Sequence, residues 1–349
     1  MNPQNKDQLH FRLFANCIPV KGAKRAIICD LQRGGYDYIP NELLEVIEDC
    51  KNHPLGEVKE AYGTENEQIL EEYFEFLLEK EYGFWTDEPT SFPDLNLQWD
   101  APALITNAII DSDENSQHNF ESLFMQLEDM GCKHIQLRFF AEIHPKQLEV
   151  VLALTKALKF RSIDLVLAYS PVFDMSYWSK LCQEHLRLNQ LIIYNAPHNK
   201  AKKVLYDQTN EKSVITALIY QKTNIDSHQH CGIINPAYFA IGMELFTEAQ
   251  KHNSCLNRKI AVDVSGNIKN CPSMLQSFGN AKHTPLQEAV LKKDFKKYWE
   301  IHKDQIEICK DCEFRYICTD CRAFTSDHQN LYSKPAKCQY NPYTATWET

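Results

Sequence analysis

Four cysteines stand within thirteen residues of one another in CKDCEFRYICTDC, Cys309 to Cys321, at the spacing C-x2-C-x5-C-x2-C. Four more lie nearby, Cys231, Cys255, Cys271 and Cys338. A segment so rich in thiols folds around what the thiols hold. Disulfides are the first alternative, but the opening MNPQNKDQLHFRLF lacks the apolar block of a secretory signal, so a cytoplasmic protein is expected. Thirteen cysteines in 349 residues then read as metal ligands plus buried thiols. Cys17, Cys29, Cys50, Cys132 and Cys182 sit in apolar contexts such as RAIICDL and are expected to be buried free thiols.

Two kinds of centre suit the dense set. Zinc sites usually pair two C-x2-C turns across about a dozen residues or more, and only five separate Cys312 from Cys318. Iron–sulfur clusters accept closely spaced thiolates plus a distant one. Cys309, Cys312 and Cys318 with Cys338 fit that plan, and zinc is kept as the alternative. Upstream, CLNRKIAVDVSGNIKNC reads as a hairpin turning at Asp263–Gly266, which brings Cys255 and Cys271 together.

The succession C-x(9–15)-G-x4-C, C-x2-C-x5-C, C and a last C resembles the SPASM domain, the auxiliary-cluster region of radical S-adenosylmethionine peptide maturases. CTDC departs from it, with two residues where most of that family has three. The resemblance implies two auxiliary [4Fe–4S] clusters. One takes Cys309, Cys312, Cys318 and Cys338. The other takes Cys255, Cys271 and Cys321, with Cys231 in HQHCGIINP as candidate fourth ligand and the nearby His228 and His230 as surface residues. Over nearly its whole length the chain resembles the SPASM-domain maturase of grasp-with-spasm peptide systems, which acts with an ATP-grasp ligase and a short precursor peptide.

The triplet that lets such enzymes cleave S-adenosylmethionine, C-x3-C-x2-C, is missing. Where it belongs the chain reads ALITNAIIDSDENSQHNFESLF, without a cysteine. Radical chemistry on that cofactor is therefore not expected, and no catalytic residue is assigned. Residues 98–228 alternate strand and helix: ALITNAII, NFESLFMQLEDMG, HIQLRFF, PKQLEVVLALTKALKF, SIDLVLAYS, SYWSKLCQEH, QLIIYNAP, VITALIY. That pattern gives a parallel sheet, read as a degenerate partial (β/α) barrel in an α/β protein. Tyr169, Asn195 and His198 fall near strand ends, where ligand clefts form.

Residues 1–92 read as two strands, a turn at Gly34–Gly35, a third strand and helices, the later long helix carrying Ile69, Tyr73, Phe76 and Leu77 on one face. This resembles the winged-helix leader-recognition element of peptide-modifying systems, which adds the leader to a sheet edge. The expected edge is Ala23–Asp30 or its neighbour, with Lys24, Arg25 and Ile27 as candidate contacts and Lys21 beside them. Residues 229–349 form the SPASM domain in this scheme. A net charge of −10 argues against nucleic acid as a partner, and no apolar run approaches the roughly 20 residues that span a bilayer.

Overall fold

The computed structural model describes residues 6–206 and 214–348. Contacts group the chain into two units. One contains Met1–Asp100, Ile234–Ser254 and Ile301–Thr349; the other contains Ala101–Ile233 and Cys255–Glu300. This grouping departs from the consecutive spans 1–92, 98–228 and 229–349. The reason lies in the first unit, whose N-terminal sheet has two apolar faces.

In that unit β1 (His10–Leu13), β2 (Cys17–Lys21), β3 (Ala26–Asp30) and β4 (Gly35–Ile39) precede α1 (Asn41–Asn52), α2 (Leu55–Tyr62) and α3 (Glu67–Glu79), and β5 (Gly83–Thr86) follows. Strands β2, β3 and β4 form an antiparallel sheet with β3 in the middle. β1 leaves that sheet to pair with β5, a separation that the two-strand reading of this stretch did not make. All five β3 residues are buried, because both of its faces are covered. Ala26 and Ile28 pack with Leu43, Phe74 and Leu77 of the helices. Ile27 and Cys29 pack with Phe246, Phe314, Ile317 and Tyr340 from the chain's later segments.

Helix α1 buries Leu43, Val46, Ile47 and Cys50, an i, i+3, i+4, i+7 stripe. The α3 stripe is Leu70, Phe74 and Leu77. Ile69, expected on that face, is 46% exposed, while Tyr73 and Phe76 flank the core. One residue is about 100° of helix, so the buried face is rotated by a single position.

In the second unit β6 (Asn107–Ser112), α4 (Phe120–Asp129), β7 (His134–Phe139), α5 (Pro145–Ala153), β8 (Ser162–Ala168), α6 (Met175–Glu184) and β9 (Leu188–Tyr194) alternate, followed by β10 (Lys200–Tyr206), β11 (Val214–Tyr220), β12 (Lys259–Val262) and β13 (Ile268–Lys269). Their sheet order is β10-β11-β9-β8-β7-β6-β12-β13. The inner strands run parallel; β10 and β13 pair antiparallel at the edges, so the sheet is open. Asn119 and Asp174 cap α4 and α6 by accepting from the Ser122 and Tyr177 amides. α5 stops well before its expected end, where buried Thr155 turns its hydroxyl back to the Leu152 carbonyl at 2.7 Å. No helix among the described residues is long and apolar enough to cross a membrane.

Candidate functional site

The dense thiols lie in the first unit. Cys309 and Cys312 flank a single tight turn, Cys309–Asp311, and Cys318 follows Ile317 in the core. Burial raises Cys309, Cys312 and Cys318 above the ordinary thiol range, Cys318 to about 11. Neighbouring thiols add to this: Cys338 acts on Cys309 and Cys318, and Cys309 and Cys318 act on Cys312. Four thiols are thus brought within electrostatic reach of one another.

Into them reaches Lys303, 3% exposed, its Nζ 3.6 Å from Cys318 Sγ and 3.9 Å from Cys309 Sγ. Burial pulls its pKa down, but the thiols and Asp320 outweigh that and raise it. Asp320, 3.9 Å from Lys303, is bound to Arg322 at 2.6 Å and to the Asn253 amide at 2.7 Å.

The N-terminal sheet props up this loop. The Ala23 amide donates to the Asp311 carbonyl at 2.7 Å. Gly22 admits no side chain, since a Cβ there would stand 2.9 Å from the Glu313 nitrogen. Arg25 binds the fully buried Glu313 carboxylate at 2.8 Å and stacks 3.7 Å over Tyr38, and Glu313 also accepts from the Tyr340 hydroxyl. The candidate leader contacts therefore divide. Arg25 is held in this network, Ile27 is 0% exposed, and Lys24 alone is open to solvent. Lys21 faces Glu45 at 3.3 Å. Lys24 and Arg25 lie in the turn that leads into β3, which is central and not an edge.

The sparser thiols lie in the second unit. Between β12 and β13 the chain turns at Gly266, φ +83°, where the Gly266 amide donates to the Asp263 carbonyl. Asp263 also accepts from the Asn267 amide and pairs with Lys269 at 2.8 Å. The hairpin brings Cys255 and Cys271 together as expected from the sequence: burial first, then Cys255 and Cys231, push Cys271 up to about 12. Lys259 Nζ lies 3.5 Å from Cys255 Sγ. Its pKa is lowered by burial and raised, with the larger net effect, by Cys255, Cys271 and Cys231.

Arg138 approaches Cys231 Sγ at 3.6 Å while gripping Asp111 through two bonds of 2.6 and 2.7 Å. Cys321 is buried in the first unit, so the set implied for the upstream cluster is divided between units. His230 is exposed and pairs with Asp226, and partly buried His228 offers its carbonyl to Ser273.

Tyr169, Asn195 and His198 sit at the ends of β8 and β9 with their backbones engaged or their side chains in solvent, and they make no polar constellation. The charged pair at the strand ends is Asp111–Arg138, which sequence reasoning missed. Its signal was present: an acid closes AIID and a base interrupts QLRF, and the two are register partners on β6 and β7. Lys259, Lys303, Glu313, Asp320 and Arg322 were missed too, being charges in cysteine-rich text that read as solvated.

Both thiol sets share a plan. Each faces one lysine and one Arg–Asp pair, leaving one cation beyond the carboxylates. Buried charge persists where it is paired, and thiols are the potential anions beside each lysine. Among the described residues no group of three or more His, Cys, Asp or Glu is closed to the spacing of a single bound metal ion. Cys318 donates to the Thr319 carbonyl at 3.3 Å. Donor type and local charge fit a metal–thiolate centre.

No protein-family model matches the chain, and no curated protein matches it. Among solved structures it is similar to Streptococcus suis SuiB bound to S-adenosylmethionine, with 11% identity, TM-score 0.33, and coverage of 91% of this chain and 95% of that one. The structure of SuiB bound to precursor peptide SuiA gives the same values. A likeness this loose carries no argument about function.

Proposed function

We propose that this protein is a maturation factor for a ribosomally made peptide. It binds the precursor's leader, carries two auxiliary [4Fe–4S] clusters, and acts with an ATP-grasp ligase without cleaving S-adenosylmethionine. The observation that carries the cluster reading is the lysine set against each group of thiols, Lys303 sharing its nearby Asp320 with Arg322. Cys309, Cys312, Cys318 and Cys338 would hold one cluster. Cys255, Cys271 and Cys231 would contribute to the other, while the role of Cys321 there rests on the resemblance alone. When bound, such clusters carry single electrons or offer iron as a Lewis acid.

The chain's own residues exclude water and fix the ligands. Phe314 and Ile317 wall the dense set, and Arg25–Glu313–Tyr340 locks the loop between Cys312 and Phe314. For the leader, β4 is the better edge. It pairs on one side only and has no proline, whereas Pro19 removes a donor from β2 and the Cys17 amide is spent on the Phe14 carbonyl.

Anaerobic purification of the full chain, followed by iron, sulfide and zinc analysis, tests the cluster reading. Two [4Fe–4S] clusters require about eight iron and eight sulfide per chain. Stoichiometric zinc without sulfide would replace this reading with a zinc-stabilised binding scaffold.

A further inference from the structure

We infer that Lys303 and Lys259 are electrostatic set-points, each fixing how readily the cluster on its own thiols accepts an electron. This rests on the metal–thiolate reading above. Lys303 is 3% exposed, yet a lysine that merely fills space normally carries its ammonium out to water. Here the ammonium points inward at two sulfurs, 3.6 and 3.9 Å away. Its carboxylate neighbour, Asp320, lies 3.9 Å away, no closer than either sulfur, and is already committed to Arg322 and Asn253. Lys259, half-buried in the other unit, likewise turns its ammonium to a thiol, 3.5 Å from Cys255 Sγ, with Cys271 and Cys231 also acting on it. The recurrence, at the first residue of β12 and in a short turn of the other unit, is what a packing accident would not produce.

The chemistry follows from charge. A [4Fe–4S]2+ cluster on four thiolates carries two negative charges. Reduction by one electron from a low-potential donor such as dithionite makes that three, with no bond broken and no proton moved. The lysine keeps its three protons throughout. A fixed cation at hydrogen-bond distance from the ligand sulfur stabilises the reduced state more than the oxidised one, and it does so strongly where water is excluded. Lys303 and Lys259 are positioning residues in this sense: they touch ligand sulfur and act through it.

The test is an EPR-monitored redox titration of the full-length, anaerobically reconstituted protein, with iron and sulfide counted in every sample. Lys303→Met should make reduction of one cluster at least tenfold less favourable, which is about 59 mV more negative for a single electron, and leave the other transition in place. Lys259→Met should move the transition that Lys303→Met leaves alone. Lys303→Arg keeps the charge and should stay near the wild-type midpoint. Lys303→Gln keeps a donor without charge and should follow Lys303→Met; it also serves if the methionine variant loses its cluster.

A full iron count with unshifted midpoints in both Lys303→Met and Lys303→Gln would overturn the inference while leaving the cluster reading standing. Equal shifts in the arginine and glutamine variants would reduce the lysine to a packing role and overturn it as well. Absence of iron and sulfide from the wild type would end both readings together.

Discussion

Cys312 is half-buried, with a pKa raised well above its ordinary value, first by burial. On the cluster reading proposed above, the metal would displace a thiol proton at a site that exists only when the loop is folded, so binding and folding would be coupled. Cys312→Ala should cut the iron count by about half and lower the melting temperature; full iron with unchanged melting would remove Cys312 from the ligand set. Beside it, Glu313→Ala would strand the Arg25 guanidinium and the Tyr340 hydroxyl. Breaking a buried ion pair costs about 3–5 kcal/mol. Arg25 still reaches some water, so the lower end is expected in urea unfolding. His185 is buried, and burial lowers its pKa. The unfolded chain takes up a proton below about 6.5 where the folded one resists, so stability should fall as pH drops through that region, and His185→Gln should flatten the slope measured between pH 8 and pH 5.5. The cysteines were legible in the sequence because thiol spacing is itself a chemical pattern. Lys303 and Lys259 were not: lysine is read as solvent-facing until the sulfur beside it is seen.

Strand and helix alternation in the second unit could be read directly, because 3.6- and 2-residue periods and the Gly131 stop are local signals. β10 escaped, since KAKKVLY on an antiparallel edge carries the charges of an edge and little apolar pattern. In the first unit β1 and β2 merged in the sequence reading because only three residues part them, and which strand is central depends on partners far along the chain. That choice matters for the leader. If β4 receives it, Tyr38→Pro should abolish calorimetric binding of the precursor leader, because it removes a donor and fixes φ. Lys24→Pro, outside that edge, should bind as wild type once circular dichroism shows an intact fold. Unchanged binding by Tyr38→Pro would move the leader elsewhere.

At the scale of the molecule, the missing C-x3-C-x2-C triplet is the clearest negative. Reduced, reconstituted protein incubated with S-adenosylmethionine should form no 5′-deoxyadenosine above a cluster-free control, and clear formation would sink the proposed division of labour with a ligase. The interleaving of chain pieces in the first unit could not be read from sequence order. Cutting before Gln98 would also open the later segments' core, because Val20, Ile27 and Cys29 are part of the wall around Phe314 and Cys318. The same interleaving orders events on the ribosome. The helix-covered face of β2–β4 can close soon after translation begins, but its other face waits for residues from Ile301 onward. At 5–20 residues per second that wait is on the order of tens of seconds. Throughout it, a nascent sheet shows Val20, Ile27, Cys29 and Leu31 to solvent. Chaperones should therefore engage the nascent chain at this sheet, and the dense thiols can be gathered only once the segment from Cys309 to Cys338 has been made.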